Sequence, residues 1–248
     1  MSIYITGDCH GDYRKFNTEA FPEQKEMTKE DYVIVCGDFG YWSGDKEQMW
    51  WRKWLEKKPF TTLWVDGNHE NYDMLKKCPV EEWHDGKIQR VMPSIIHLMR
   101  GQVYDICGKR FFTFGGAQSH DIQGGVLDMN DPNFATKKKE LNRGEIPYRI
   151  NHASWWEEEL PSSAEYAEGC ANIRKCGREV DYVVTHCAPT NIQDILVGNF
   201  LKPNRLTDYL QVVDWNLKYK KWFFGHYHDN QDIMGRYILL YEQIIRIA

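Results

Sequence analysis

Residues 3–10, Ile3-Tyr4-Ile5-Thr6-Gly7-Asp8-Cys9-His10, decide how the chain is read, because their form returns further along. A short β-branched and aromatic run ends in glycine, followed at once by a side chain able to hold a metal or move a proton. VIVC (33–36) runs into Gly37-Asp38, LWVD (63–66) into Gly67-Asn68-His69-Glu70, and WFF (222–224) into Gly225-His226-Tyr227-His228. YVVT (182–185) ends directly at His186. Such apolar runs fit buried strands. In α/β sheets the carboxyl edge of the strands is where ligands bind. The separations Asp8 to Asp38 and Asp38 to Asn68 are both 30 residues, which suits β-α-β units laying neighbouring parallel strands side by side.

Working outward, the first seventy residues read as strand–helix–strand–helix–strand. In the helical segment 45–58, Trp50, Trp51, Trp54 and Leu55 fall on one stripe, expected to pack on the sheet. Four short strands follow, IQRV (88–91), SIIHL (94–98), QVYDI (102–106) and KRFFTF (109–114). A polar, poorly patterned stretch runs from about 118 to 152. Ser154 with Glu157 and Ser162 with Glu165 carry capping-box signatures, and Thr190 with Gln193 opens another helix. Leu206, Leu210, Val213 and Leu217 share one helical face, and the chain closes with strands around 221–226, 236–241 and 243–247. No linker divides the chain, so one domain over 1–248 is expected, with 118–152 as a polar insertion or lid.

The 248 residues are 42% hydrophobic and 27% charged, a globular balance that excludes a disordered chain. A net charge of −5 counts against a broad electrostatic grip on duplex nucleic acid or an anionic membrane. No apolar run approaches the ~20 residues a membrane span needs. The N-terminal residues carry no leader pattern, and the seven cysteines form no CxxC pair. Reduced thiols and a cytoplasmic location are therefore expected.

Asp8, His10, Asp38, Asn68, His186, His226 and His228 offer seven oxygen and imidazole donors and no thiolate. One open catalytic ion takes fewer protein ligands, so two ions sharing a carboxylate are expected. Such donors suit Mn, Fe or Zn. Asp8-x-His10 and His226-x-His228 read as extended pairs that place alternate side chains on one side. By the same alternation, Cys9 and Cys187 point away from the ions.

In this order, the D-x-H, GD, GNHE, H and GHxH motifs resemble the calcineurin-like metallophosphoesterases, over residues 8–228. The resemblance implies a four-layer αββα sandwich of two facing mixed β-sheets with a di-metal site at the sheet edge. It implies one ion on Asp8, His10, Asp38 and His228, and another on Asp38 (bridging), Asn68, His186 and His226. It further implies phosphoester hydrolysis by a metal-bridging hydroxide, with Asn68 also touching phosphate and His69 as general acid. The Ser/Thr protein phosphatases extend the second motif to GDxVDRG, whereas here it reads Gly37-Asp38-Phe39-Gly40-Tyr41-Trp42. The Asp that pairs with the catalytic His and the phosphate-binding Arg are both missing, which sets the chain apart from that subfamily. GDFGY and VVTH match purple acid phosphatase spacings, but those enzymes lack the His of D-x-H.

Tyr41 and Trp42 offer either a stacking wall for a nucleotide or cover for the core. His120 and Asp121 are either substrate contacts or a turn. Lys137, Lys138, Lys139, Arg143 and Arg149 form either a phosphate-recognising lid or a solvated loop. The family also holds nucleases, cyclic-nucleotide phosphodiesterases and non-catalytic scaffolds. A scaffold would be expected to lose ligands, and this chain keeps them. The expected partner is a phosphoester, nucleotides included, and the oligomeric state is left open.

Overall fold

In the computed structural model, which describes residues 1–248 apart from the side chain of Asn199, the opening run becomes strand β1 (Ile3–Thr6). It lies parallel to β2 (Tyr32–Val35), itself parallel to β3 (Thr61–Trp64), with Tyr4 opposite Val33 and Val33 opposite Thr62. Helix α1 (Lys46–Glu56) bridges β2 and β3, and the single-turn α2 (Tyr72–Leu75) follows the GNHE motif. The β1–β2 connection holds two short 3₁₀ turns, Arg14–Phe16 and Pro22–Glu26, in place of the expected helix. Pro22 has no N–H for a helix interior.

Hairpins β4 (Val80–Trp83), β5 (Gly86–Met92) and β6 (Ile95–Leu98) return beside β3, and β7 (Gln102–Ile106) with β8 (Lys109–Phe114) open a second sheet. Next come β9 (Val126–Leu127), α3 (Phe134–Arg143), β10 (Arg149–Ile150) and α4 (Ser163–Lys175). Then follow β11 (Tyr182–Thr185), α5 (Thr190–Val197), α6 (Arg205–Asn216) and β12 (Lys221–Phe224). The chain ends with β13 (Gln231–Ile233), β14 (Tyr237–Leu239) and β15 (Ile244–Arg246). One sheet runs β15-β1-β2-β3-β6-β5-β4 and the other β13-β14-β12-β11-β8-β7.

Strand alternation explains why the two sheets face each other. Ile3, Ile5, Ile34 and Leu63 of the first sheet meet Phe111, Tyr182, Val184 and Phe223 of the second in one buried cluster. The intervening Tyr4, Val33, Val35 and Trp64 point the other way, onto Leu55 of α1 and Phe16, Phe21 and Phe60. Phe112, Phe114, Val183, Trp222 and Phe224 do the same for α4 and α6, meeting Ile173, Leu206 and Leu210. Three apolar seams between four layers make the expected αββα sandwich. Each fully buried aliphatic or aromatic side chain contributes ~1.5–3 kcal/mol, and a one-residue slip would expose an entire strand face.

Local expectations differ in four further places. Trp50 is 57% exposed and only borders Trp51, because residues 100° apart cannot both face a flat sheet. Residues 118–152 hold α3 and the β9–β10 pair. The Ser154 signature yields only a 3₁₀ turn, Glu157–Glu159, since Pro161 stops any longer helix. Helix α5 has Pro189 at its cap position, and the Thr190 hydroxyl donates instead to Asp208 (2.8 Å). Among the described residues no helix is long and apolar enough to cross a membrane, and all seven cysteines are free thiols.

Candidate active site

The carboxyl ends of β1, β2 and β3 meet those of β11 and β12 along one edge of the sandwich. There Asp8, Asp38, Asn68, His186 and His226 are buried, while His10 and His228 lie nearer solvent. His10 Nε2 and His228 Nε2 are 3.0 Å apart, and Asp8 Oδ2 lies 3.6 Å from the first and 3.3 Å from the second. Asp38 extends toward both sides, with Oδ2 3.8 Å from His10 Nε2 and Oδ1 3.3 Å from His186 Nε2. Two sets of ligand-capable atoms, Asp8/His10/His228 and Asp8/Asp38/His186, each fall within 4.8 Å of one another, as does a third, His10/Asp38/His69. The His226 ring stands 5.0 Å from that of His186.

Each preceding glycine lets one strand end approach another. A Cβ on Gly225 would overlap the Asp8 carboxylate, one on Gly67 would overlap Asp38, and one on Gly37 would overlap the His186 ring. The D-x-H and H-x-H pairs are not extended: His10, Asp38, His226 and His228 all have positive φ, between 42° and 70°. Left-handed backbone is costly for side-chain-bearing residues and is held only where the surroundings enforce it. Cys9 N–H and His10 N–H both donate to Asp38 O, and Gly11 N–H to Phe39 O, which bends the chain beyond β1. Cys9 and Cys187 turn into the apolar clusters behind the two sheets.

Three supporting groups escaped the sequence reading. Buried Glu70 accepts from the N–H groups of Phe39 (2.7 Å), Gly40 (3.2 Å) and Tyr41 (2.8 Å), holding the loop after Asp38. Lys15 Nζ donates to Asp8 O (2.7 Å), Gly7 O (3.2 Å) and Tyr241 O (2.6 Å) at the end of β1. Asp66, salt-bridged to Arg100 and 3.0 Å from His97 Nε2, accepts from the Tyr72 hydroxyl, which also reaches Gly67 O. Glu70 and Asp66 lie inside the quoted motifs; Lys15 has no local signature.

The electrostatics favour a bound cation. Burial opposes ionisation of Asp8, yet the His186 imidazole, the His10 and His228 rings and the His226 N–H hold its carboxyl far below the usual range. Asp38 is also lowered, by His186 above all, against its burial. Burial disfavours charge on His186, but Asp38 and Asp8 push it up to about 10. Burial and the neighbouring His186 push His226 down to about 3. For His69, burial, Arg149 and His10 outweigh Asp38 and push it down to about 4.

Two buried atoms make the test of metal fit. Asn68 Oδ1 and His186 Nε2 have no hydrogen-bond partner among the described residues. Asn68 Nδ2 is committed to Ser119 Oγ (3.4 Å) and His186 Nδ1 to Cys36 O (2.8 Å), so Asn68 Oδ1 presents a fixed lone pair, and His186 Nε2, 3.3 Å from Asp38 Oδ1, presents one once its proton is lost. Leaving a buried acceptor such as Asn68 Oδ1 unpaired costs ~1–3 kcal/mol, and a metal ion would remove that cost. The donor set fits a divalent cation.

The outer residues divide. Trp42 stands edge-on to His69 with ring centres 5.4 Å apart. His120, 5.5 Å from the His226 ring, lines a cavity of about 410 Å³ with Gln118, Gln123 and Phe200. Tyr41 instead packs into the cluster behind the first sheet, its ring under Arg52 and its hydroxyl 3.9 Å from Cys78 Sγ. That placement takes it out of the cleft and corrects the stacking-wall reading for this residue. Arg149 reaches His69, with Nη2 3.4 Å from Nε2, and is salt-bridged to Asp121.

Strand-end carboxylates and imidazoles arranged this way on an αββα sandwich define a metal-dependent phosphoesterase. The family model for calcineurin-like phosphoesterases matches residues 1–230, and the chain belongs to that family. It is 29% identical over 155 residues to lariat debranching enzyme A of Xenopus laevis, covering 52% of this chain and 26% of that protein. It is 27% identical over 153 residues to the human lariat debranching enzyme, covering 55% of this chain and 27% of that protein. The aligned part thus spans about a quarter of these relatives' length.

Proposed function

We propose that the chain hydrolyses a phosphodiester, with a nucleotide on at least one side of the scissile bond, using two divalent or trivalent ions of Mn, Fe or Zn. The observation that carries the reading is the pair of buried orphan atoms, Asn68 Oδ1 and His186 Nε2, set against two ionised carboxylates. Asp8, His10, Asp38 and His228 would hold one ion; Asp38, Asn68, His186 and His226 would hold the other. When bound, the ions would supply Lewis acidity to the phosphoryl oxygens and lower the pKa of bound water. Asn68, fixed by Ser119, also orients the phosphate. The phosphate anion raises the proton affinity of His69, which then protonates the departing oxygen, a role worth ~10²–10⁴-fold in rate. Trp42 flanks that side, and His120 meets the substrate in the cavity beside His226. A cavity of about 410 Å³ is the size of a small-ligand site. The name of the relatives favours a diester over a monoester. The chain acts as one domain with about 118–152 as a polar insertion or lid, in a reducing, cytoplasmic setting that suits seven free thiols.

The test compares bis(p-nitrophenyl) phosphate with p-nitrophenyl phosphate in Mn²⁺, with Asp38→Asn as the blank. The diester is expected to be cut faster. Faster monoester cleavage overturns the diesterase reading, and two bound metals with neither ester cut overturns the hydrolase reading.

A further inference from the structure

We propose that Arg149 is a catalytic residue whose guanidinium takes a non-bridging oxygen of the reacting phosphoryl group on the His69 side, with Asp121 as its positioning residue. The inference rests on the phosphodiesterase reading above.

The segment that carries both residues leaves the site and returns to it. It departs at Ser119, whose N–H and hydroxyl both donate to Glu159 (2.9 and 2.6 Å) while its oxygen accepts from Asn68. It returns at Arg149 on β10, where the Arg149 N–H donates to Gly125 O and the Asn151 N–H to Leu127 O. Within the segment Lys137 is engaged by Asp131 and Lys138 lies over the Phe134 ring, and α3 buries no residue. Arg149 turns inward, its side chain only 17% exposed.

The guanidinium is held as a fork. Nε donates to Asp121 Oδ1 (3.1 Å) and Nη2 to Oδ2 of the same carboxylate. Nη2 also lies 3.4 Å from His69 Nε2, and Nη1 has no partner among the described residues. The backbone N–H of His69 donates to Asp38 Oδ1 (2.8 Å), which fixes the main chain that carries this imidazole beside the central carboxylate.

The Arg149 Nη2–H faces the acceptor nitrogen of a neutral His69, and a phosphate oxygen beside the pair would give the guanidinium a charged acceptor, which makes the stronger bond. A guanidinium is planar and matches phosphate oxygens two at a time, which a lysine cannot do. With Asp121 on one edge, the free edge of Arg149 is left for a second oxyanion. Negative charge grows on the non-bridging oxygens as the bond to the leaving group breaks, and a preorganised donor there stabilises the transition state more than the ground state.

The test uses the full chain loaded with Mn²⁺, with Arg149→Met, Arg149→Lys and Asp121→Asn. Turnover of bis(p-nitrophenyl) phosphate, binding of inorganic phosphate by calorimetry and rescue by millimolar guanidinium are the readouts. Arg149→Met is expected to lose about 100-fold in kcat and about tenfold in phosphate affinity, with part of the turnover restored by guanidinium. Arg149→Lys is expected to recover affinity more than kcat, and Asp121→Asn to lose less than Arg149→Met. If wild type cuts the diester and Arg149→Met stays within twofold, or loses turnover without guanidinium rescue or weaker phosphate binding, the assignment falls while the phosphodiesterase reading stands. If wild type cuts neither ester, that reading fails, and phosphate titration still decides for Arg149. Weaker binding in Arg149→Met then supports the contact; equal binding, or none in wild type, overturns it.

Discussion

Gly225→Ala isolates the close approach on which the site depends. Gly225 links β12 to His226, and its N–H donates to His186 O (3.0 Å). A Cβ there would overlap Asp8 Oδ1 and come within 2.8 Å of the Cys36 carbonyl oxygen. Neither neighbour can give way freely. Cys36 O is backbone and accepts from His186 Nδ1, while Asp8 accepts from the His226 N–H at 3.1 and 3.2 Å. Overpacking costs ~1–3 kcal/mol, and loss of the charged acceptor for a buried N–H adds ~1.5–3 kcal/mol. A combined ~2.5–6 kcal/mol lowers Tm by roughly 5–24 °C in a chain of this size. The control is Gly44→Ala, whose Cβ enters open space and should change stability by no more than ~0.5 kcal/mol. Thermal melts of the chelator-treated proteins read the steric cost, and metal content after dialysis against Mn²⁺ reads the displacement of Asp8. If Gly225→Ala melts within ~2 °C of Gly44→Ala and holds as much metal, the close-approach reasoning is wrong.

Three further outcomes follow from the site and its frame. His69→Ala should keep its metal and lose ~10²–10⁴-fold in turnover; loss of metal would make His69 a ligand, as its grouping with His10 and Asp38 allows. His186, pushed up to about 10, must shed its proton to ligate, so metal uptake at pH 7 should release about one proton or more. Calorimetry in two buffers of different ionisation enthalpy measures it, and zero release refutes the picture. Asp31 is lowered despite its burial, because the Thr28 N–H and hydroxyl and the Ser2 hydroxyl and N–H all donate to it. A depressed carboxylate stabilises above its unfolded pKa of 3.8 and loses that contribution as pH falls through its lower folded value. Asp31→Asn should therefore cost ~1–3 kcal/mol at pH 7, with the gap to wild type closing in urea melts below that value.

The strand framework was legible because it is written in period two. Ile3, Tyr4 and Ile5 alternate between the inter-sheet seam and the outer layer, and so do Val33, Ile34 and Val35. The candidate ligands were legible because each sits directly behind such a run. What failed was the extension of the same period past the strand ends. Beyond Thr6 the ladder stops, and the N–H groups of Cys9, His10 and Gly11 turn to the carbonyls of Asp38 and Phe39. Only the three-dimensional neighbour shows this. For Tyr41 the sequence left a stacking wall and core cover both open, and only the fold decides, with its ring packed behind the first sheet under Arg52, eleven positions on. Arg149 is 80 residues from His69 and is placed by a two-residue parallel pairing with Val126–Leu127, too short to leave a sequence pattern.

The strain at the strand ends has a direct bearing on what the site can do. His10, Asp38, His226 and His228 hold left-handed backbone, at a cost on the order of 1–3 kcal/mol each. The bonds that enforce it run between different strand ends. Glu70, beyond β3, holds the loop beyond β2; Asp8, beyond β1, holds His226 beyond β12; Asp38, beyond β2, holds His69 beyond β3. Lys15 ties the end of β1 to Tyr241. The donor geometry is therefore braced by the protein's own cross-connections. A single cross-connection removed should loosen two strand ends at once, which is why Glu70 and Lys15, though neither is among the candidate ligands, support the site's geometry as much as the residues they hold.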